Sequence, residues 1–526
     1  MIRREVHFGR LVPTFAERPA TVDAMFRARV TDAPDAPALV AGERRISYGQ
    51  LDAAVDRLTA SLRGRGIVKG DRVATLIGNR PEVIEVSLAC GRLGAIHVPM
   101  DIRQRAPEIA YALTQSEAAL LLHDESCAGQ VPAPADMASV RHTVVVGAAV
   151  PGADSYEALL RDGGDSAPPA RLDEDDPFCI LYTSGTTGRP KGAVLTHFGV
   201  IHSCLHYRGA LGLTSSDRVV LAVPCAHVTG LVGVIHTALS AGACLIMMAQ
   251  FKARAFLELA ERERASATLM VPAMYSLCLL DAEFDRFDLS SWRVGAFGGA
   301  PMPEPVALRL KAKSPALTLF NVYGSTETTS PVAILPADAP MERLNCVGKV
   351  LPCADIRVMD EAGREVAPGE AGELWIAGAS VVPGYWRNPE ADAAGFTGGY
   401  WRSGDVGSID AEGYLKVFDR KKDMINRAGY KVYSAEVESV IVDHPGVSEA
   451  AVVGYPDPVL GERVAAFVTA KEGVAEDSLR LFCAARLSDY KVPDRITFLR
   501  DGLPRNANGK VLKAELRSRA VAGAPA

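Results

Sequence analysis

The sequence from residue 181 to residue 192 reads Leu-Tyr-Thr-Ser-Gly-Thr-Thr-Gly-Arg-Pro-Lys-Gly. The apolar run at 176–180 before it is typical of a strand, and residues 193–197 begin apolar again. Glycines let a backbone approach a ligand closely, and successive N–H groups in such a turn form an anion-binding concavity. Four Ser/Thr hydroxyls and one lysine ammonium add further donors. The loop therefore predicts a polyphosphate ligand.

The spacing of this loop differs from that of the common phosphate loop, which requires G-x-x-x-x-G-K-[ST]. Here Pro190 precedes Lys191 and Gly192 follows it. A P-loop ATPase is therefore disfavoured. A flexible surface loop is the ordinary interpretation of a generic Ser/Thr/Gly stretch, but the dense order of hydroxyls and glycines argues against it here.

Length and composition indicate a large globular protein and say little more about its function. The chain has 526 residues, which suggests about three or four folding units. Its hydrophobic content of 48% and charged content of 23% allow large cores. Because the net charge is -6, nothing in the charge balance favours nucleic acid or an anionic membrane as a partner.

The ten cysteines include no C-x-x-C pair, so neither a metal knuckle nor a redox motif is indicated. Most lie in apolar surroundings, which predicts buried free thiols and a reducing cytoplasm. Residues 1–7 are charged, with no apolar h-region after them, so no signal peptide is expected. The apolar stretch at 228–251 breaks at 240–242, which predicts a buried helix, a glycine turn and a strand and no integral membrane segment.

Strand and helix patterns alternate along most of the chain, from the strand at 72–77 through the helix at 81–93 to the strand at 118–122. Such alternation predicts parallel sheets built from βαβ units. The pattern changes to short strands with glycine turns at 347–417, and then to an α+β tail. The fold class predicted is α/β: two parallel-sheet subdomains and a small β-barrel-like subdomain, followed by a small α+β C-terminal domain.

Two further segments follow predicted strands, and open α/β sheets bind ligands beyond the carboxyl ends of their strands. Ala-Phe-Gly-Gly-Ala-Pro at 296–301 leaves space for a flat ligand, although a tight strand-to-helix turn is the alternative. Tyr-Gly-Ser-Thr-Glu at 323–327 offers Tyr323 for stacking on adenine and Glu327 as an Mg2+ ligand. A glutamate that complements a helix dipole is the alternative for Glu327.

Four other positions are candidates, each with an ordinary structural alternative. Asp405 can accept both hydroxyls of a ribose, or can be a turn aspartate. The basic trio at 420–422 can be a solvated face. Lys510 ends a rigid Pro- and Asn-rich turn that suits a point charge for developing negative charge, or it is a surface lysine. His227 is a pocket residue or a buried core histidine, and no second histidine is placed for zinc.

The loop at 181–192 resembles the signature loop of the acyl-adenylate-forming enzymes, which include acyl-CoA synthetases, firefly luciferase and peptide-synthetase adenylation domains. The other motifs occur in the family order over nearly the whole chain. The resemblance implies an AMP-forming acyl-CoA synthetase of the fatty-acid or aryl-acid CoA ligase type. Such an enzyme converts a carboxylic acid and ATP to an acyl-adenylate and pyrophosphate, and then transfers the acyl group to CoA.

The same resemblance implies the site residues and ATP, Mg2+ and CoA as cofactors. The catalytic residues implied are Lys510, Glu327, Thr183 and His227, with Glu327 and Thr183 as Mg2+ ligands. The implied cofactor-binding residues are Thr183, Ser184, Gly185, Thr186, Thr187, Gly188, Lys191, Gly299, Ala300, Pro301, Tyr323, Gly324, Ser325, Thr326, Asp405, Arg420, Lys422 and Gly429.

The resemblance also implies two domains, an adenylation domain at 1–421 and a mobile domain at 422–526 that carries Lys510 and rotates about Lys422. Acetate-specific relatives have a tryptophan where this chain has Gly324, so a larger acid is expected. No aspartate occurs in 225–233 to bind an α-amino group, so a medium-chain or aryl acid is expected. Two alternatives stay open: an acyl-AMP ligase that loads a carrier-protein pantetheine, and a nucleotide-sensing module without catalysis. The oligomeric state is left open between a monomer and a homodimer.

Overall fold

A computed structural model of the chain describes residues 1–162, 170–183, 189–300, 302–471, 473–505 and 511–523. The chain divides into two compact units. The first comprises Met1–Ile356 and Ile376–Trp401, and the second comprises Arg357–Trp375 and Arg402–Ala526. The domain boundary at 421/422, with its hinge, stays a prediction.

The first unit begins with an antiparallel hairpin of the strands Ile2–His7 and Arg10–Phe15. Phe8 and Gly9 have φ values of 52° and 71°, as a two-residue turn of the primed type requires. One hairpin face is buried through Val12, which is 4% exposed. The sequence analysis did not identify this hairpin.

The first sheet of this unit has the predicted parallel design at its centre. Its outermost pair, which encloses the loop at 184–190, is antiparallel instead. The predicted loop therefore lies in the sequence between the two strands of an antiparallel pair at the edge of a parallel sheet. The strands of the first sheet, in spatial order, are Lys191–Thr196, Pro177–Thr183, Ile96–Pro99, Arg72–Leu76, Ala118–Asp124, His142–Val146 and Asp154–Ser155.

The second sheet of the unit is also parallel at its centre and antiparallel at both ends. The carboxyl ends of its central strands form one edge, at which the segments after Val294–Gly298 and Thr318–Tyr323 lie. The strands, in spatial order, are Gly348–Val350, Ala333–Ile334, Thr318–Tyr323, Val294–Gly298, Ala267–Met270, Arg218–Leu221, Cys244–Met247, Pro37–Ala41 and Arg44–Ser47.

Local signals explain the helices well. The order Ser-Tyr-Gly-Gln at 47–50 forms a capping box at the start of the helix Tyr48–Gly64: the Gln50 N–H donates to Ser47 Oγ (3.2 Å), and the Ser47 N–H donates to Gln50 Oε1 (2.9 Å). The predicted helix, glycine turn and strand at 228–251 are confirmed by the helical segments Thr229–His236 and Thr237–Ala241, Gly242 at φ 75° and the strand Cys244–Met247. The other α-helices described in this unit are Val22–Asp32, Pro81–Leu93, Ala106–Ser116, Tyr156–Asp162, His197–Leu211, Ala253–Arg262, Pro272–Leu279, Glu304–Lys313 and Pro389–Gly395.

Five buried histidines accept or share hydrogen bonds inside the first unit. His197 Nδ1 accepts from the Val22 N–H (3.2 Å), and His206 Nε2 accepts from the Cys353 N–H (3.2 Å). Burial lowers the pKa to about 3 in three of them and to about 4 in the other two, so these imidazoles are neutral at pH 7. The five are His97, His197, His202, His206 and His236.

The second unit contains the antiparallel strands Tyr400–Ile409 and Tyr414–Arg420 and the predicted α+β tail. The tail packs helices on a small sheet around a core that includes Val437, Val452 and Val464. The tail strands are Tyr430–Val432, Ile425–Arg427, Gly461–Ala470, Val447–Asp457 and Arg495–Phe498, and the helices are Ser434–Val442, Glu476–Ala484 and Lys513–Ala522. The strands Ala354–Met359 and Gly372–Gly378 precede these elements in the chain.

Two composition-based predictions are tested directly. All ten cysteines are free and buried, which confirms the predicted thiols. No helix in the described ranges is long and apolar enough to cross a membrane.

Candidate active site

The two ends of the signature loop lie opposite each other at the tip of the edge hairpin. Thr183 pairs with Lys191 across the antiparallel strands, and Thr183 Oγ1 donates to the Lys191 carbonyl (3.3 Å). Both residues are half-buried. The strand register therefore brings a hydroxyl and an ammonium to one sheet edge. The remaining loop predictions, Ser184, Gly185, Thr186, Thr187 and Gly188, lie outside the described residues.

The helix Ala106–Ser116 holds both arms of the loop. The Tyr182 hydroxyl donates to Gln115 Oε1 (2.5 Å), and the Tyr111 hydroxyl donates to the Pro190 carbonyl (3.0 Å). Gln115 Nε2 also donates to the Trp386 carbonyl (2.7 Å). This helix therefore fixes Tyr182 and Pro190 at the two ends of the loop, and it also fixes a third segment at Trp386.

That third segment contains Tyr385, which the sequence analysis missed. Tyr385 is 5% exposed, and its hydroxyl donates to Glu327 Oε1 (3.0 Å). The Lys191 ammonium lies over its ring, 4.6 Å from the centroid. Burial and the nearby Glu327 carboxylate raise the pKa of Tyr385, so the phenol keeps its proton and acts as a donor.

Glu327 lies in the short helical turn Thr326–Thr328, which packs against the strand Lys191–Thr196. It is 9% exposed, and its carbonyl accepts from the Val382 N–H (2.9 Å). The structure therefore brings the predicted metal ligand to the same strand that the loop lysine begins.

The residues just after Glu327 are strained. Thr329 and Ser330 have φ values of 52° and 35°, which a non-glycine residue rarely adopts. Ser203 Oγ donates to the Thr329 carbonyl (2.9 Å), and the Tyr207 hydroxyl bonds Ser330 Oγ (2.9 Å). Strain of this kind is common at functional sites, where surrounding contacts maintain it.

The two predicted adenine segments meet at neighbouring strand ends. Gly298 is in register with Val322, so Gly299 and Tyr323 follow adjacent parallel strands. A Cβ at Gly298 would lie 2.6 Å from the Val322 carbonyl oxygen, so this close approach requires glycine. Gly299 has a φ of 78° and leads into Ala300, whereas Pro301 lies outside the described residues.

Gly324, the position that bears on substrate size, is crowded by its own loop. A Cβ there would lie 2.9 Å from Ser330 Oγ and 3.0 Å from Ser330 Cα. The Ser325 N–H, next in the chain, donates to Thr328 Oγ1 (2.9 Å), which fixes the turn that also contains Thr326.

His227 contacts a buried carboxylate that the sequence analysis did not identify. Its Nε2 lies 3.1 Å from Asp101 Oδ2, and its side chain is 28% exposed. Asp101 follows the strand Ile96–Pro99 and also accepts from the Arg103 N–H (2.9 Å). Although burial opposes ionisation, hydrogen bonds from His227 and Arg103 hold the pKa of Asp101 well below its usual range. A hydrogen-bonded pair of a carboxylate and an imidazole therefore lies beyond the carboxyl end of a first-sheet strand.

In the second unit, the structure brings together the two predicted ribose residues. Asp405 pairs with Arg420 across antiparallel strands, and Arg420 Nε lies 2.7 Å from Asp405 Oδ1. Ser403 Oγ accepts from the Asp405 N–H (3.0 Å) and donates to the Leu374 carbonyl (2.7 Å). The strand register and these hydrogen bonds therefore fix the Asp405 carboxylate beside the Arg420 guanidinium.

The remaining predicted residues of the second unit are less well defined by contacts. Gly429 has a φ of 87°, and its N–H donates to Asn426 Oδ1 (3.1 Å) in a tight hairpin turn. The carbonyl of Lys422 accepts from Arg517 (2.8 Å). Lys510 lies outside the described residues, but Arg505 and Val511, which flank its turn, form an antiparallel bridge.

The residues near the loop suit Mg2+, a hard cation that prefers carboxylate and hydroxyl oxygens. Glu327 offers a largely buried carboxylate, and Thr183 offers a hydroxyl at the strand end. The Tyr385 hydrogen bond occupies Oε1 of Glu327 and leaves Oε2 for a metal. The donor set therefore fits the ion predicted from the sequence.

Comparison with known proteins agrees with these observations. The profile of the AMP-binding enzyme family matches residues 26–386, and that of the AMP-binding enzyme C-terminal domain matches residues 436–510. A feruloyl-CoA synthase of Amycolatopsis sp is 37% identical over 94% of this chain and 97% of its own length. The long-chain-fatty-acid–CoA ligase FadD13 of Mycobacterium tuberculosis (strain H37Rv) is 36% identical over 95% of this chain and 99% of its own length.

A solved structure extends the likeness to three dimensions. The o-succinylbenzoate CoA synthetase MenE from Bacillus subtilis, in complex with its acyl-adenylate intermediate, matches with a TM-score of 0.84 at 29% identity and covers 95% of this chain and 98% of that chain. The chain belongs to the AMP-binding enzyme family. The predicted fold class and the predicted class of enzyme, an AMP-forming acid–CoA ligase, are confirmed.

Proposed function

We propose that the protein activates an aromatic carboxylic acid with Mg·ATP to an acyl-adenylate and transfers the acyl group to CoA. The observation that carries the first step is the meeting of Thr183, Lys191 and Glu327 around the loop, held by Tyr385. A hydroxyl, an ammonium and a carboxylate that can hold a metal suit a pyrophosphate leaving group.

Each predicted residue has a role in this proposal. Thr183 and Lys191 hold the β- and γ-phosphates together with the loop residues between them. Glu327 holds Mg2+, which when bound neutralises charge on the phosphates. Tyr323 and Gly299 frame adenine, and Asp405 and Arg420 hold ribose. Lys510 stabilises the charge that develops as the carboxylate attacks the α-phosphorus.

The second half-reaction uses a different surface of the C-terminal domain. Because Lys510 must enter for the first step and CoA for the second, the domain rotates about Lys422 between them. Gly429 then lines the channel for the thiol. The variant Lys422→Pro should impair thioester formation and spare adenylation, whereas unaffected CoA-ester formation would contradict the hinge.

Two features near the acyl group favour an aromatic acid with polar substituents. Gly324 presents no side chain, so the pocket is not shortened at that position. The Asp101–His227 pair supplies polar hydrogen-bonding groups, which suit a hydroxylated or otherwise polar ring better than a plain alkyl chain. The named substrate of the Amycolatopsis relative, ferulate, belongs to this class.

A medium-chain fatty acid is the second candidate. The relative FadD13, which is 36% identical to this chain, is named as a long-chain-fatty-acid–CoA ligase and so supports a fatty acid without specifying a medium chain. Transfer to a carrier-protein pantetheine is not favoured, since the relatives compared above are named as CoA ligases and synthetases.

A thioester assay with a panel of acids tests the proposal. Purified protein would be given ATP, Mg2+ and CoA with hydroxycinnamic, benzoic, octanoic and acetic acids, and the kcat/KM for each CoA ester would be measured. The proposal expects the hydroxycinnamic acid to have the highest kcat/KM and acetate the lowest. A maximum at octanoate would favour the second candidate, and thioester formation only with pantetheinylated carrier protein would contradict CoA as the acceptor.

A further inference from the structure

Tyr385 contacts both Lys191, which the proposed function assigns to phosphate binding, and Glu327, which it assigns to the metal. Its hydroxyl donates to Glu327 Oε1 at 3.0 Å, and its ring lies 4.6 Å below the Lys191 ammonium. Glu327 and Lys191 are 136 residues apart in the sequence numbering, so the shared tyrosine is a tertiary feature of the fold. No spacing motif in the sequence predicts that Tyr385 contacts both residues.

The backbone around Tyr385 is itself fixed at the loop strand. Ala193 and Tyr385 form an antiparallel bridge, and the Trp386 N–H donates to the Gly192 carbonyl (2.7 Å). The Tyr385 N–H donates to Asp392 Oδ1 (2.7 Å). The backbone that carries the ring is therefore joined to the two residues that follow Lys191.

We infer that Tyr385 is a positioning residue that sets the relative placement of Lys191 and Glu327 for a metal-bound nucleotide. This inference rests on the proposed function, which assigns phosphate to Lys191 and Mg2+ to Glu327. The phenol occupies one oxygen of the Glu327 carboxylate and directs the other toward the metal position. The ring face attracts the Lys191 ammonium and holds it beside the same position.

The two contacts can be separated by substitution, because one uses the hydroxyl and the other uses the ring. Tyr385→Phe removes the donor to Glu327 and keeps the aromatic face for Lys191. Tyr385→Leu removes both. The first contact concerns only the metal ligand, so its loss should be visible only when Mg2+ is present. The second concerns the phosphate-binding cation, so its loss should also affect ATP without metal.

Calorimetric titration of the full chain with ATP tests this separation, once with Mg2+ and once with EDTA. For Tyr385→Phe, we expect the affinity for ATP with Mg2+ to fall by about ten-fold, as for loss of a hydrogen bond to a charged group, and the affinity in EDTA to stay within about two-fold. For Tyr385→Leu, we expect a further loss of about three- to ten-fold that appears in both titrations. The inference is overturned if Tyr385→Phe binds as wild type with Mg2+, or if it loses equal affinity with and without Mg2+.

Two more variants complete the experiment. Tyr48→Phe removes another buried hydroxyl, which donates to the Ala243 carbonyl (2.8 Å), and should leave both ATP affinities unchanged. Glu327→Gln tests the proposed function itself, because it removes the charge that holds the metal. If Glu327→Gln keeps wild-type affinity for ATP with Mg2+, the assignment of the metal fails. If Glu327→Gln loses that affinity and Tyr385→Phe does not, the inference about Tyr385 alone fails.

Discussion

The proposed nucleotide side and the proposed acyl side of the first unit are built differently. The nucleotide side, which comprises Thr183, Lys191, Gly299, Tyr323 and Glu327, consists of short motifs that each begin at a strand end. The acyl side, which comprises Asp101, His227 and Gly324, depends on a contact between residues 126 positions apart. In our proposal, local motifs therefore define the reaction class, whereas a tertiary contact helps to select the acid.

Acidification should destabilise the first unit and therefore affect both sides of the site. This is the largest effect that we expect. Burial holds the pKa of the five buried histidines at about 3 to 4 in the folded protein, while in the unfolded chain each takes up a proton near pH 6.5. Stability is therefore full above pH 6.5 and is lost as the pH falls below it. One pH unit below that point, the loss is about 1.4 kcal/mol per histidine, or about 7 kcal/mol for the five together.

Urea unfolding at pH 7.5, 6.5, 5.5 and 5.0 measures this loss. The free energy of unfolding should fall steeply below pH 6.5, before most carboxylates titrate. A free energy of unfolding that stays constant from pH 7 to pH 5 would show that these histidines are not buried as neutral groups.

Lys510→Ala should damage the nucleotide side for every acid alike. Loss of a charge that stabilises the transition state typically costs about 10²–10³ in rate. Adenylation, followed by ATP–pyrophosphate exchange, should fall by that factor with each acid tested. Thioester formation from supplied acyl-AMP and CoA should be spared, and equal loss of both half-reactions would argue against the division of labour.

His227→Ala should separate the acyl side from the nucleotide side. The variant leaves the buried Asp101 carboxylate without one of its donors, a change that costs about 1–3 kcal/mol. We expect kcat/KM for a polar aromatic acid to fall by about 10- to 100-fold, with the KM for ATP unchanged. Asp101→Asn should change the acid preference in the same direction. An altered KM for ATP in either variant would contradict the assignment of Asp101 and His227 to the acyl side alone.

Gly324→Ala should produce the smallest of these effects. The new methyl group would lie 2.9 Å from Ser330 Oγ, and overpacking of this kind costs about 1 kcal/mol or more. We expect kcat/KM to fall by about five-fold with aromatic acids and by less with acetate. Gly209→Ala is a matched control, because nothing lies within 4 Å of a Cβ at that helical position. An equal loss of kcat/KM in both variants would show that Gly324 does not belong to the acyl side.

Much of the fold follows from local signals. Hydrophobic periodicity and the Ser47–Gln50 capping box predict the helix Tyr48–Gly64, and the alternation of strand and helix patterns predicts the parallel centres of both sheets. The N-terminal hairpin was missed because its first strand is charged and mostly exposed, and the buried positions of its second strand, such as Val12, pack against distant parts of the fold. The antiparallel edge pair around the loop also depends on tertiary pairing, which periodicity does not report.

The candidate site likewise contains residues that local motifs predict and residues that only tertiary contacts identify. Strand-end motifs led to Thr183, Lys191, Tyr323 and Glu327, because parallel strands place their carboxyl ends at one edge. Asp101 and Tyr385 were missed because their partners lie far along the chain. An aromatic pair after Gly384 was the visible signal for Tyr385, but such pairs are also common in cores.

ATP–pyrophosphate exchange by the wild-type protein tests the central claim most directly, since it reports cleavage at the α-phosphorus before any CoA is added. The assay compares exchange with no acid, with a hydroxycinnamic acid and with acetate. The account predicts exchange that requires both Mg2+ and an acid and is fastest with the hydroxycinnamic acid. ATP binding without exchange for any acid, or release of ADP and inorganic phosphate in place of exchange, would contradict it.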